Sequence, residues 1–214
     1  MLAAYKNLVW NVVNLVNAPR GRTYHQQRDR LWLKGEQRRQ FVATAGQIVA
    51  DGLALAALGE LSLRLSATQL AVTAPHCQLG QLTEADLVTC SIQSDKPLAT
   101  AAPHLPWHRL IYGQTPAQAV LLGHPPYAIT LANAGQVPDS ALLPEMGAII
   151  GGVTRLPPAE ISPAALAETA PRHHVILLPH VGALIWGDSL ADVLVRAQTV
   201  EYLSRLTVLT GRMG

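Results

Sequence analysis

Two cysteines in 214 residues, Cys77 and Cys90, are too few for a disulfide framework and show no metal-type spacing. Reduced core thiols are expected of both. Charge is scarce as well: Lys, Arg, Asp and Glu make up 14% of the chain, against roughly 25% in an average soluble protein. Apolar residues at 49% exclude general disorder and supply a sizeable core. So few charges on a folded chain point to surface buried in an oligomer. No apolar run reaches the roughly 18 residues of a membrane span; the nearest, residues 8–16, is broken by Asn11 and Asn14. The start has one early lysine and no small-residue cleavage site, so no secretory signal is read and a cytoplasmic location is expected. Neither a G-x-G-x-x-G run nor a P-loop is present, which argues against dinucleotide or nucleotide binding.

The charge that exists is uneven. Lys6, Arg20, Arg22, Arg28, Arg30, Lys34, Arg38 and Arg39 are half of all the basic residues, and only Asp29 and Glu36 oppose them before residue 40. Residues 2–17 place Leu8, Val9, Val12, Val13, Leu15 and Val16 at mostly helical intervals, and Pro19 and Gly21 then break the pattern. Residues 1–35 are therefore set apart as a basic arm with an amphipathic helix. Packing of this arm on a neighbouring subunit is the expectation. A nucleic-acid partner is not, because no aromatic–basic interleaving accompanies the charge.

From residue 36 to 214 the pattern is that of one α/β domain. Phe41, Val42, Ala45, Ile48 and Val49 give helical periodicity over residues 36–57. Residues 61–65 and 69–73 alternate around Ser66-Ala67-Thr68, a hairpin signal. Strands are predicted over 87–92, 119–122, 146–153, 175–178 and 182–186. Helices are predicted through His108 and Tyr112, after Pro125-Pro126, and from an Asp188 or Ser189 cap to about Gly211. Several strands lie too close together for helical crossovers, so a mainly antiparallel or mixed sheet with helices on its faces follows.

Four stretches carry a resemblance. Gly59-Glu60-Leu61-Ser62-Leu63-Arg64 resembles a G-N-x-S-x-R turn and strand, and L-G-Q-L-T-E-A-D-L over residues 79–87 a G-x-L-T-x-x-D-L segment. His108-Arg109-Leu110-Ile111-Tyr112 resembles an H-x-x-I-Y helix, and His124-Pro125-Pro126-Tyr127-Ala128 an H-x-P-Y-A strand end. The order and spacing of these pieces, with Gly182-Ala183-Leu184-Ile185-Trp186-Gly187 behind them, are similar to those of the class II aldolase/adducin family. The resemblance implies a three-layer α/β/α sandwich, assembly as a homotetramer, and metal-assisted retro-aldol chemistry on sugar phosphates. In such chemistry a divalent ion held by three imidazoles steadies the enediolate, and a carboxylate moves the proton.

This chain departs from that pattern at most of the positions that matter. The second histidine of the family's H-x-H pair matches His124, but the first falls on Leu122. His104 stands in the acid position four residues before His108. The third histidine falls on Val181, with His180 one place away, where a one-residue slip would return it to the site. Glu60 replaces the asparagine of the G-N turn, and its carboxylate repels a phosphate. Thr73-Ala74-Pro75-His76 replaces a T-x-S-G turn. The candidate site is therefore His104, His124 and a shifted His180 around a divalent metal such as zinc, or no metal at all, with Glu60 as acid or base. Two functions remain open. One is an aldolase-type carbon–carbon lyase on a small carbonyl or sugar-derived compound that is not a sugar phosphate. The other is an inactive member serving as oligomeric scaffold or small-ligand binder. Ser62 lacks the G-x-S-x-G elbow of a hydrolase nucleophile.

Overall fold

The structure, a computed structural model, describes Leu33 and residues 35–211. The helix expected over residues 2–17, and the basic arm apart from Leu33 and Gly35, lie outside the described residues. Six helices and seven strands follow in the described chain: α1 (Gly35–Ala50), β1 (Glu60–Arg64), β2 (Gln69–Thr73), β3 (Leu87–Ser91), α2 (Leu105–Gln114), β4 (Ala119–Gly123), α3 (Pro126–Asn133), α4 (Pro144–Ile150), β5 (Val153–Arg155), α5 (Pro163–Thr169), β6 (Val175–Leu178), β7 (Gly182–Gly187) and α6 (Leu190–Gly211).

The strands form one sheet in the order β3-β2-β1-β4-β7-β6-β5. Every pairing is antiparallel except β5 with β6. The β1–β2 hairpin forms where Ser66 was expected to turn the chain: its Oγ accepts from the backbone N–H groups of Thr68 and Gln69 at 3.2 and 3.1 Å. The parallel β5–β6 pair needs a crossover, and α5 lies within it.

Because side chains alternate along a strand, each face of the sheet collects its own apolar set. Leu61, Leu121, Leu177 and Ile185 meet Phe41 and Ile48 of α1, Ala128 of α3 and Val193, Val200 and Leu203 of α6. Val120, Leu122, Ile176, Leu184 and Trp186 meet Leu105, Ile111 and Tyr112 of α2 and Leu166 of α5. The result is a three-layer α/β/α sandwich around a mixed sheet. No described helix is long and apolar enough to cross a membrane.

One segment differs from its expectation. Residues 146–153, predicted as a strand, divide into the end of α4 and the start of β5. Pro144 sits in the first turn of α4, and Gly151 closes it in the left-handed region at φ 73°. Met146 and Ile150, four apart, then share a helical face, so an apolar run that looked continuous serves two elements. The first helix also ends at Ala50 rather than at residue 57.

Candidate active site

Strand β1 holds α2 at three points. With Leu61 and Leu63 facing α1 and α6, alternation turns Glu60, Ser62 and Arg64 toward α2. Arg64 grips the C-terminal end, donating from Nη2 to the carbonyls of Tyr112 and Thr115 at 2.7 and 3.3 Å and from Nε to that of Ala117 at 2.8 Å. Ser62 holds the middle, its Oγ 2.7 Å from His108 Nδ1 and 2.8 Å from Tyr112 Oη. Glu60 holds the N-terminal end, where both carboxylate oxygens accept from the backbone N–H of His104 at 3.3 and 3.2 Å. A cation at the carbonyl end and an anion at the amide end both suit the helix dipole.

Glu60 is 5% exposed, and its Oε1 lies 2.7 Å from His104 Nδ1. Burial alone would raise its pKa, but the contacts and charges of His104 and His108 overrule it and hold the carboxyl at about 2. The ionised group only accepts hydrogen bonds, which sets the direction of the others. The 2.7 Å contact suits a His104 Nδ1–H donor, and in the neutral ring such a tautomer carries its lone pair on Nε2. His108 turns Nε2 toward Glu60 Oε2 at 3.4 Å, close enough for attraction but poorly aligned, and this buried nitrogen has no hydrogen-bond partner among the described residues. Ser62 Oγ bridges His108 Nδ1 and Tyr112 Oη in the buried layer. Burial, the main cause, raises the Tyr112 pKa, so its hydroxyl stays a neutral donor.

His104 is the member of this chain that reaches solvent. It caps α2, its side chain is 36% exposed, and its ring lies against Trp107 with centroids 4.5 Å apart. Ser62 and His108, by contrast, are both fully buried. The serine–histidine–carboxylate series they form is closed to any substrate.

His124 follows the last residue of β4. Its backbone N–H donates to Leu53 O at 2.6 Å, and its Nδ1 is buried without a partner among the described residues. Burial first, and the His104 charge with it, lower its pKa against the opposing pull of Glu60 and of the Val181 backbone. His124 is thus a neutral imidazole in the electrostatic range of Glu60 and His104. Gly182 lets β7 lie close to the end of β4 beside it: an added Cβ would stand 2.5 Å from Gly123 O, whereas the His124 ring at 3.5 Å is in ordinary contact. The Gly123 carbonyl is why the H-V-G turn ends in glycine.

The remaining candidates do not converge on one point. His180 is exposed in the β6–β7 turn at φ 63°, its backbone N–H bonded to Asn133 Oδ1 at 2.9 Å. Nothing among the described residues joins it to Glu60, His104 or His124. Leu122 lies directly opposite Glu60 in the β1–β4 register and is 1% exposed, and Val181 packs against the same apolar layer. No group of three His, Cys, Asp or Glu side chains among the described residues is placed to hold a metal ion. A three-nitrogen centre of His104, His124 and His180 therefore does not fit this arrangement. The physical reason is the β6–β7 turn, which leaves His180 exposed with its backbone tied to Asn133 and away from His104 and His124. The expected thiols are inert: Cys77 is buried, and burial with nearby Asp86 pushes its pKa up to about 12.

His108 and Tyr112 escaped the sequence reading as site residues. The usable signal was two hydrogen-bonding side chains four apart on the inward face of a helix, where apolar residues are the rule. His76 escaped it too. It is exposed at φ 63° in the turn after β2, and its pKa is lowered by burial against the opposing charge of Glu60.

Comparison with known proteins agrees with this architecture. The sequence profile of the Class II Aldolase and Adducin N-terminal domain matches residues 39–208. The chain belongs to that family. It is 26% identical, over 81% of its length, to a protein of Nocardia farcinica (strain IFM 10152) described as a probable bifunctional methylthioribose-1-phosphate isomerase/methylthioribulose-1-phosphate dehydratase. The match spans 35% of that protein. L-fuculose-1-phosphate aldolase from Thermus thermophilus superimposes with a TM-score of 0.70 at 26% identity, covering 81% of this chain and 95% of that one. L-fuculose 1-phosphate aldolase from Glaciozyma antarctica PI12 shares the fold, with a TM-score of 0.69 at 16% identity over 95% of this chain and 82% of that one.

Proposed function

We propose that the chain is a lyase acting on a small hydroxy-carbonyl compound that bears no phosphate, with His104 as the group that transfers the proton. The observation that carries this reading is the 2.7 Å contact between His104 Nδ1 and the ionised, buried Glu60. A carboxylate behind one imidazole nitrogen fixes the tautomer and steadies the imidazolium once the other nitrogen is protonated. Glu60, expected as an acid or base, is in this reading a positioning residue, since a pKa of about 2 leaves it no proton to give near neutrality.

The reaction follows from those roles. His104 Nε2 accepts the proton of a substrate hydroxyl. The adjoining carbon–carbon bond breaks, and its electron pair moves toward the neighbouring carbonyl as an enolate. His124, neutral by burial, polarises that carbonyl oxygen. His104 then returns the proton to the enolate carbon. Relatives with names ending in aldolase and dehydratase support the lyase class. The Glu60 charge opposes a phosphate in the cleft, and the T-x-S-G hydroxyl is gone. Self-association is part of the proposal: Val195, Tyr202 and Leu209 recur every seven residues along α6 and are 43%, 50% and 41% exposed.

Turnover of unphosphorylated hydroxy-ketones beside ketose 1-phosphates tests the reading. Cleavage should favour the unphosphorylated series, with fuculose 1-phosphate cleaved weakly or not at all. A preference for the phosphorylated series would overturn it. Failure on both would leave the non-catalytic scaffold in its place.

A further inference from the structure

A second feature lies at the N-terminal end of α2. A cleft of about 360 Å³ is walled by Leu98, Ala101, Ala102 and Leu105, with His76 and Arg109 as its polar residues. That volume is at the small end of ligand sites. Arg109 is 9% exposed. Its Nε donates to Ser91 O at 2.9 Å and its Nη1 to Lys96 O at 2.7 Å. These two carbonyls aim the guanidinium without neutralising it, and no acidic side chain among the described residues pairs with it. A guanidinium offers five donors in a planar fork, so donors remain beyond the two that are used. A buried cation left without a counter-charge carries a desolvation cost that an anion would offset.

We propose that this cleft binds a small monocarboxylate with a short branched apolar body, its charge taken by Arg109 and its body by the alanine and leucine walls. One guanidinium edge matches the two oxygens of a carboxylate. A doubly charged phosphate would call for more donors than these walls provide. Arg109 follows His108 in the H-x-x-I-Y helix, so the same helix that holds the Glu60 network on one side holds this buried cation on another. Glu60 and His104 do not line the cleft, although His76 on its wall lies in the Glu60 field and Pro103 and Leu105 flank His104; occupancy is read by binding alone.

Calorimetric titration of the full chain with isovalerate, and with isovaleramide as its uncharged counterpart, tests the proposal. Isovalerate should bind saturably, and the amide about tenfold or more weakly. Arg109→Lys should weaken isovalerate by a similar factor, because an ammonium lacks the fork. Ala99→Phe, at the exposed rim, should abolish binding with the melting temperature unchanged, which keeps the test decisive if Arg109→Lys does not fold. Equal affinity for acid and amide, isovalerate binding undiminished in Ala99→Phe, or no saturable binding at millimolar isovalerate would each overturn the proposal.

Discussion

His104→Ala is expected to lower kcat by about 10²–10⁴-fold, the range that a positioned acid–base group contributes, and to lower the melting temperature as well, because the buried Glu60 carboxylate loses its nearest side-chain partner. His104 stands at the helix cap with its ring partly in solvent, so no core cavity adds to that loss. Glu60→Gln should lower kcat too, although it preserves shape and volume. A neutral amide still accepts a hydrogen bond but no longer supports the imidazolium. The pair separates a proton-transfer role from a packing role. In the first variant kcat falls because the proton-transferring ring is gone; in the second kcat falls although the ring is retained. Steady-state kinetics from pH 5 to pH 9 on the preferred substrate provide the check.

The second large effect concerns stability. Glu60→Ala removes the acceptor for the His104 amide and ring and leaves His108 Nε2 facing an empty space, so a loss of about 3 kcal/mol is expected from urea unfolding. The same interaction has a pH signature. The folded Glu60 pKa of about 2 lies below its ordinary 4.5. Its contribution is therefore fully present above pH 4.5 and is lost as pH falls through 2. A difference of that size corresponds to about 3 kcal/mol by linkage. Wild-type protein should lose stability more steeply than Glu60→Gln between pH 5 and pH 2. Parallel curves for the two proteins would show that the carboxylate is not held ionised by its neighbours.

Much of this fold is written in local pattern. The Ser66 turn, the alternation of Leu61 and Leu63 against Ser62 and Arg64, and the Pro125-Pro126 start of α3 each follow from short-range chemistry. So does the Ser189 start of α6, where its Oγ accepts from the Asp192 N–H at 3.0 Å. Residues 146–153 escaped that logic because apolar periodicity over eight residues does not separate a short helix followed by a strand from one long strand. The site was legible in part. Glu60, His104 and His124 were picked out from their places in the family motifs, and the structure puts them within one electrostatic neighbourhood. His180 was not separable from them by sequence, because a three-residue turn decides whether its ring faces the cleft or the solvent. The inward position of His108, and its bond to a serine 46 residues earlier, is a property of the packed sheet and helix. Only the register of β1 against α2 creates it.

In the proposed reaction Glu60 fixes the tautomer of His104 and so makes Nε2 the base. Nitrogen-15 NMR of the His104 ring at neutral pH reads that tautomer. A protonated Nδ1 and a bare Nε2 are expected in the wild-type protein, with the two tautomers mixing in Glu60→Gln. A wild-type ring protonated at Nε2, with Nδ1 bare beside the carboxylate, would contradict it.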